Sequence, residues 1–130
     1  MYTKILSPAI DIYSADTGEF LGTSTFDLSP YEEKKLLNYL NRGEPFSDLL
    51  ILNANLYNAP MDYVPPTIDR GLERVGVLHA MFRDDTGADI PIEIRMKFLS
   101  QARGVLPGDP YFLSSVQYSD ILIESVERLL

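Results

Sequence analysis

The sequence predicts an α+β fold: a single domain over residues 1–130, with a twisted, mainly antiparallel sheet of about five strands and one helix packed on it. Three observations predict it. Residues 89–98 place Ile90, Ile92, Ile94, Met96 and Phe98 on one face and Pro91, Glu93, Arg95 and Lys97 on the other, the period-two pattern of a half-buried strand. Residues 29–43 carry a helix cap, an apolar stripe and a terminal glycine. The tripeptide Asp-Thr-Gly occurs at 16–18 and again at 85–87, each time between segments of strand character. A small closed β-barrel is the alternative arrangement of the same strands.

The first strand reads from Ala9 to Ser14 and returns over Glu19–Phe26. Between them Asp16 accepts backbone hydrogen bonds and Gly18 supplies positive φ, the chemistry of a hairpin turn. Gly22, inside the return strand, marks a bulge or a close approach. A helix follows over 30–42. Ser29 caps its free N–H groups, Pro30 occupies the first helical position and Glu32 stands where a capping box needs it. Leu36, Leu37, Tyr39 and Leu40 form the buried stripe, with Glu33, Lys34, Asn38 and Asn41 on the wet side. Gly43 ends the helix in the left-handed region, beside Arg42 at the negative end of the dipole.

Leu49–Asn53 reads as a buried strand, because a helix there would hold Asn53 and Asn55 in its middle. Pro60, Pro65 and Pro66 make residues 58–66 a loop. Thr67–Arg70 offers a short helical turn. A long hairpin follows, 74–83 against 88–98. Pairing Arg83 with Ala88 sets Met81 opposite Ile90, His79 opposite Ile92, Val77 opposite Ile94 and Val75 opposite Met96. A rival helix over 68–82 contains two glycines and two valines, which weaken it. Residues 100–110 read as a connection and Tyr111–Tyr118 as a strand. The tail, 119–130, reads as a C-terminal helix capped by Ser119 or Asp120, with strand as the alternative.

The charge is −8, from 19 acidic and 11 basic residues, and it is spread over both halves of the chain. A surface of this sign repels phosphate backbones and so disfavours nucleic acid. No run approaches the 20 or so apolar residues of a membrane helix, so no membrane segment is expected and a cytoplasmic location is. Without cysteine there is no disulfide, thiolate nucleophile or thiolate metal site. Eight tyrosines and no tryptophan tilt the chain toward sheet and contact surface.

Candidate chemistry is sparse. Asp85-Thr86-Gly87-Ala88-Asp89 resembles the catalytic loop of the retroviral-type aspartic proteases, with Asp16-Thr17-Gly18 as a second copy. The resemblance implies that Asp16 and Asp85, or Asp85 from two chains, meet and share a proton to activate water. It covers five residues. Arg83-Asp84 stands where those enzymes have an apolar strand, and no apolar pair followed by glycine supports the loop after Phe98. The residues read foremost as turns. Asp84, Asp85 and Asp89, with Asp62 or Asp109, are too widely spaced for a calcium loop, and no cofactor or metal is expected. His79, the one histidine, falls on the apolar face in the expected register. Arg74 would face Lys97, with Arg95 alongside, and an acidic partner or Glu93 to balance them.

These features favour a non-enzymatic protein that acts by protein–protein contact. It would be an acidic regulator or inhibitor, a structural subunit of a homo-oligomer, or an adaptor. Tyr57, Met61 and Tyr63, on a proline-bearing segment, are the expected interface. An aspartic-type hydrolase built on Asp16 and Asp85 is the alternative.

Overall fold

The computed structural model describes residues 1–56, 72–103 and 115–129. The described residues form six strands and one helix: β1 (Tyr2–Ser14), β2 (Phe20–Asp27), α1 (Pro30–Arg42), β3 (Leu49–Leu56), β4 (Leu72–Asp84), β5 (Asp89–Arg103) and β6 (Ser115–Arg128). The expected α+β architecture is present, with a helix on a fully antiparallel sheet. The sheet curls until β4 returns to β1, closing a barrel in the order β1-β2-β3-β6-β5-β4.

Helix α1 forms for the reasons its sequence states. The Ser29 hydroxyl accepts from the Glu32 N–H at 3.2 Å. Gly43, at φ 70°, lets its own N–H reach the Tyr39 carbonyl at 2.9 Å. Leu36 is fully buried, and Leu37 and Leu40 pack beside it against the core. Two residues assigned to the wet side do more than face water. The Glu33 carboxylate accepts from the Ile5 N–H, and the Asn41 amide makes two 2.8 Å bonds to the Tyr2 backbone. Glu32 is buried, and its Oε2 lies 3.5 Å from the Lys35 ammonium, an ion-pair contact without hydrogen-bond geometry.

The barrel interior is filled by alternate residues of the strands. From β5 come Ile90, Ile92, Ile94, Met96 and Phe98, as the alternation predicts. From β4 come Leu78, Ala80 and Phe82, and this corrects the expected register. Arg83 pairs with Asp89, not with Ala88, so Phe82 faces Ile90, Ala80 faces Ile92 and Leu78 faces Ile94. One residue of slip turns the whole strand over. The cause is the turn. Asp84 N–H bonds the Ala88 carbonyl at 2.9 Å around a three-residue loop, Asp85–Gly87, with Gly87 at φ 87°. That is the three-residue hairpin with a left-handed glycine. His79 and Met81 therefore point outward, and Arg74 pairs with Phe98 instead of Lys97.

Gly76 faces inward opposite Met96. A Cβ there would lie 2.6 Å from both Ile10 Cδ1 and Phe98 Cε1, so this glycine makes room for the Phe98 ring. That ring stacks on Tyr118 at 4.2 Å, closing the core toward β6.

Three further expectations change. The first strand begins at Tyr2, not Ala9, and is interrupted by a register shift around Ser7, which has φ 51°. Residues 100–103, expected in a connection, continue β5. The tail to Arg128 is strand, not helix. The register shift beside Gly22 in β2 is as expected. Residues 58–66, 67–70 and 111–114 of the sequence reading lie outside the described residues.

Candidate functional site: an open strand edge

Strand β6 has two unlike halves. Residues 115–118 pair on both sides, with β3 through Leu49–Tyr118 and its neighbours and with β5 through Ser100–Tyr118. The last bond on the β3 side runs from Ile121 N–H to the Ser47 carbonyl, at 3.0 Å. From Leu122 to Arg128, β5 is the one strand partner among the described residues.

The open edge has a defined chemistry. Leu129 N–H bonds the Pro91 carbonyl of β5 at 3.0 Å. Backbone groups alternate sides along an antiparallel strand, so those of Val126 and Arg128 point away from β5. Leu122 is 62% exposed, Val126 42% and Leu129 48%. Ile123 and Val126, opposite Met96 and Ile94, lie on the inner face. Two register shifts, one at Glu124 and one around Asp120 (φ 52°), bend the strand between its halves.

The outer face beside this edge is a row of charge. Glu124 lies 4.0 Å from Arg95 and 3.9 Å from Lys97, so the basic pair of β5 is balanced from β6, not by Glu93. Glu127 stands directly opposite Glu93. Glu93 is 3.7 Å from His79 Nε2, and His79 Nε2 is 3.4 Å from Asp11. Asp11 also accepts from the Thr23 hydroxyl at 2.7 Å. The contacts therefore run Thr23–Asp11–His79–Glu93, with Glu127 on the neighbouring strand opposite Glu93. A nucleophilic relay needs the base between hydroxyl and acid. Here the acid lies between hydroxyl and imidazole, so His79 does not activate Thr23. His79 is charged only when protonated. With it neutral, Asp11, Glu93 and Glu127 have no cation partner among the described residues.

Asp16 and Asp85 are not brought together within the chain. Tyr2, at the start of β1, pairs with Asp84, whereas Ser14, at its end, opens the other Asp-Thr-Gly turn. The 13 residues of β1 lie between the two turns. At about 3.3 Å per residue that is roughly 35–40 Å. Asp16 is exposed at its tip. Asp85 lies 3.5 Å from the Met1 ammonium, and its N–H bonds the Met1 carbonyl at 3.0 Å. The aspartate that organises the second turn is Asp84. Its Oδ1 accepts from Thr86 N–H, Thr86 hydroxyl and Ala88 N–H at 2.9, 2.6 and 3.0 Å. The Thr86 bond leads in holding the Asp84 carboxyl below its ordinary range. Arg83 holds Asp89 at 2.8 Å, and that hydrogen bond raises the guanidinium above its ordinary value. No group of three or more His, Asp or Glu suited to a metal ion occurs among the described residues.

Tyr57, Met61 and Tyr63, expected at an interface, lie outside the described residues, as do Asp62 and Asp109. The strand ends flanking 57–71 and 104–114, namely Leu56, Leu72, Arg103 and Ser115, all belong to the Asp16 end of the barrel. No helix among the described residues is long and apolar enough to cross a membrane. Comparison with protein-family models, curated proteins and solved structures finds no match.

The sequence does not announce the open edge, because the segment from Ser119 has the cap and composition of a helix. The signal available was the pair Ile121/Ile123, whose alternation the bulge at Glu124 then breaks.

Proposed function

We propose that this protein works by contact with other protein chains, as a binding or assembly protein without a reaction of its own. The observation that carries the reading is the open half of β6, a strand edge with no second strand partner among the described residues and with exposed Leu122, Val126 and Leu129. Long, exposed apolar edges are sites of pairing with another chain unless something covers them. The diffuse acidity supports a basic partner in preference to nucleic acid. The Tyr57–Tyr63 segment supplies a second contact region by its composition. The distance between Asp16 and Asp85 weighs against a hydrolytic pair inside one chain.

The test is the mass of the native particle, alone and with candidate partners, by light scattering. Val126→Arg with Leu129→Arg should weaken any assembly while leaving the melting temperature near that of the wild type. Tyr57→Ala with Tyr63→Ala tests the second region in the same way. A particle that stays monomeric at high concentration, and binds no partner, would leave the reading without support.

A further inference from the structure

We infer that the open half of β6 takes up an extended segment of a partner protein in which basic residues alternate with apolar ones, added as a further strand. The inference rests on the contact-based reading above and names the partner's chemistry. Three features lead to it. The backbone groups of Val126 and Arg128 point away from β5, which fixes where a new strand would hydrogen-bond. On the inner face the edge presents Ile123 and Val126, so residues of the incoming strand on that face are apolar. On the outer face Glu127 stands opposite Glu93, a like-charge pair across the ladder that is unfavourable by itself. A lysine or arginine of the incoming strand, placed beside Glu127, turns that repulsion into attraction.

Charge also separates this occupant from a second copy of the chain. The β6 segment carries Asp120, Glu124 and Glu127 against Arg128. Set against itself in the register centred on Glu127, it brings the two Glu127 carboxylates together and leaves the Glu93–Glu127 repulsion in each copy unrelieved, whereas a foreign basic strand relieves it. The two bulges and the inward position of Arg128, opposite Ile92, are features that keep a strand edge from pairing indiscriminately. The apolar residues still exposed on the edge then act in selection.

The experiment uses the full chain and three synthetic seven-residue probes. One alternates valine with lysine, the second alternates valine with glutamate, and the third is the lysine peptide N-methylated at alternate amides. Fluorescence anisotropy should give a dissociation constant for the lysine peptide at least about tenfold lower than for the glutamate peptide, the equivalent of one favourable charge contact. N-methylation on the edge-facing side should abolish binding. In Glu127→Lys the preference should invert, and the melting temperature should stay at or above that of the wild type because the Glu93–Glu127 repulsion is gone. Lysine-peptide binding that survives N-methylation, or that is indifferent to Glu127→Lys, would be unspecific attraction to an acidic surface and would overturn the inference. So would absence of binding to every probe. If the same samples show a homo-oligomer that Val126→Arg disperses, the contact-based reading survives and the inference alone falls.

Discussion

Two hairpins in this barrel end in the same three residues and are built differently. The β1–β2 tip is a four-residue loop, Ala15–Gly18, in which Ser14 N–H bonds the Glu19 carbonyl at 2.9 Å. The β4–β5 tip is a three-residue loop, Asp85–Gly87. The residue before each loop accounts for the difference. Ser14 offers one hydroxyl, which accepts from Thr17 N–H at 3.3 Å. Asp84 offers a carboxylate that gathers three donors at once. A shared tripeptide therefore supplies positive φ at its glycine, while the preceding side chain chooses the loop length. Loop length in turn sets which face of each strand enters the core. The strands differ accordingly. β4 and β5 pair without a shift from Leu72–Ser100 to Arg83–Asp89, whereas β1 and β2 slip between Ile12 and Tyr13.

The largest expected effect lies in the body of the second hairpin. Gly76→Ala should destabilise the protein by about 1–3 kcal/mol, the usual cost of an overpacked core. The added methyl meets Ile10 and the Phe98 ring, which its stack on Tyr118 holds in place. Urea denaturation measures it, and a loss below about 0.5 kcal/mol would mean that Phe98 does not cross over Gly76.

Next come the tip glycines, where the hairpins should behave alike. Gly18 and Gly87 sit at φ +73° and +87° with open space around them. Alanine at either should cost about 1–2 kcal/mol, through backbone strain alone. A marked inequality between the two would show that the tips differ in more than their preceding residue.

A smaller, pH-dependent effect should separate the tips again. The Asp84 carboxyl is held below its ordinary range by Thr86 and then by the Ala88 and Thr86 backbone bonds. A group depressed in the folded state contributes stability that is present above its unfolded pKa and is lost as pH falls through its folded one. Wild type should therefore exceed Asp84→Asn in melting temperature at neutral pH, and the gap should narrow under acid. Ser14→Ala, its counterpart in the first hairpin, should show no such narrowing.

The smallest effects are expected at the two aspartates of the repeated tripeptide. Asp16→Asn and Asp85→Asn should each leave the melting temperature close to that of the wild type, since asparagine fills a turn position equally well. If Asp85→Asn abolished a measured hydrolysis while the circular dichroism stayed intact, the comparison would have to begin again from a two-chain site.

The parts of this fold legible in the sequence are those where one periodicity runs unbroken. The helix over 30–42 has its cap, stripe and stop in order, and β5 alternates cleanly for ten residues from Asp89 to Phe98. Strand β4 is ambiguous in the sequence because both its faces are apolar, Val75 and Val77 on one and Leu78, Ala80 and Phe82 on the other. Only the length of the turn decides between them, and that depends on hydrogen bonds to Asp84. Strand β6 reads as a helix because Leu122, Val126 and Leu129 fall at spacings of four and three, although Leu122 and Val126 lie on opposite faces of the strand. Those intervals imitate a helical stripe. Residues 2–8 show no strand pattern for a related reason: the shift near Ser7 puts Ile5 and Ile10, five apart, on the buried side. The charged row from Asp11 to Glu127 depends on the order of strands around the barrel, which no local pattern encodes.

Asn41 donates to and accepts from the main chain of Tyr2, each bond 2.8 Å long. A side-chain amide has the same donor and acceptor as a peptide unit, so the helix imitates one rung of a neighbouring strand. What it grips is backbone, and the clasp is therefore blind to the side chain at position 2. Any non-proline residue there offers the same N–H and carbonyl to the clasp. The latch has one weak point on its own side. Aspartate at 41 would set an oxygen against the Tyr2 carbonyl, and the helix would lose this latch while Leu36 and the Glu33–Ile5 bond still held it to the sheet.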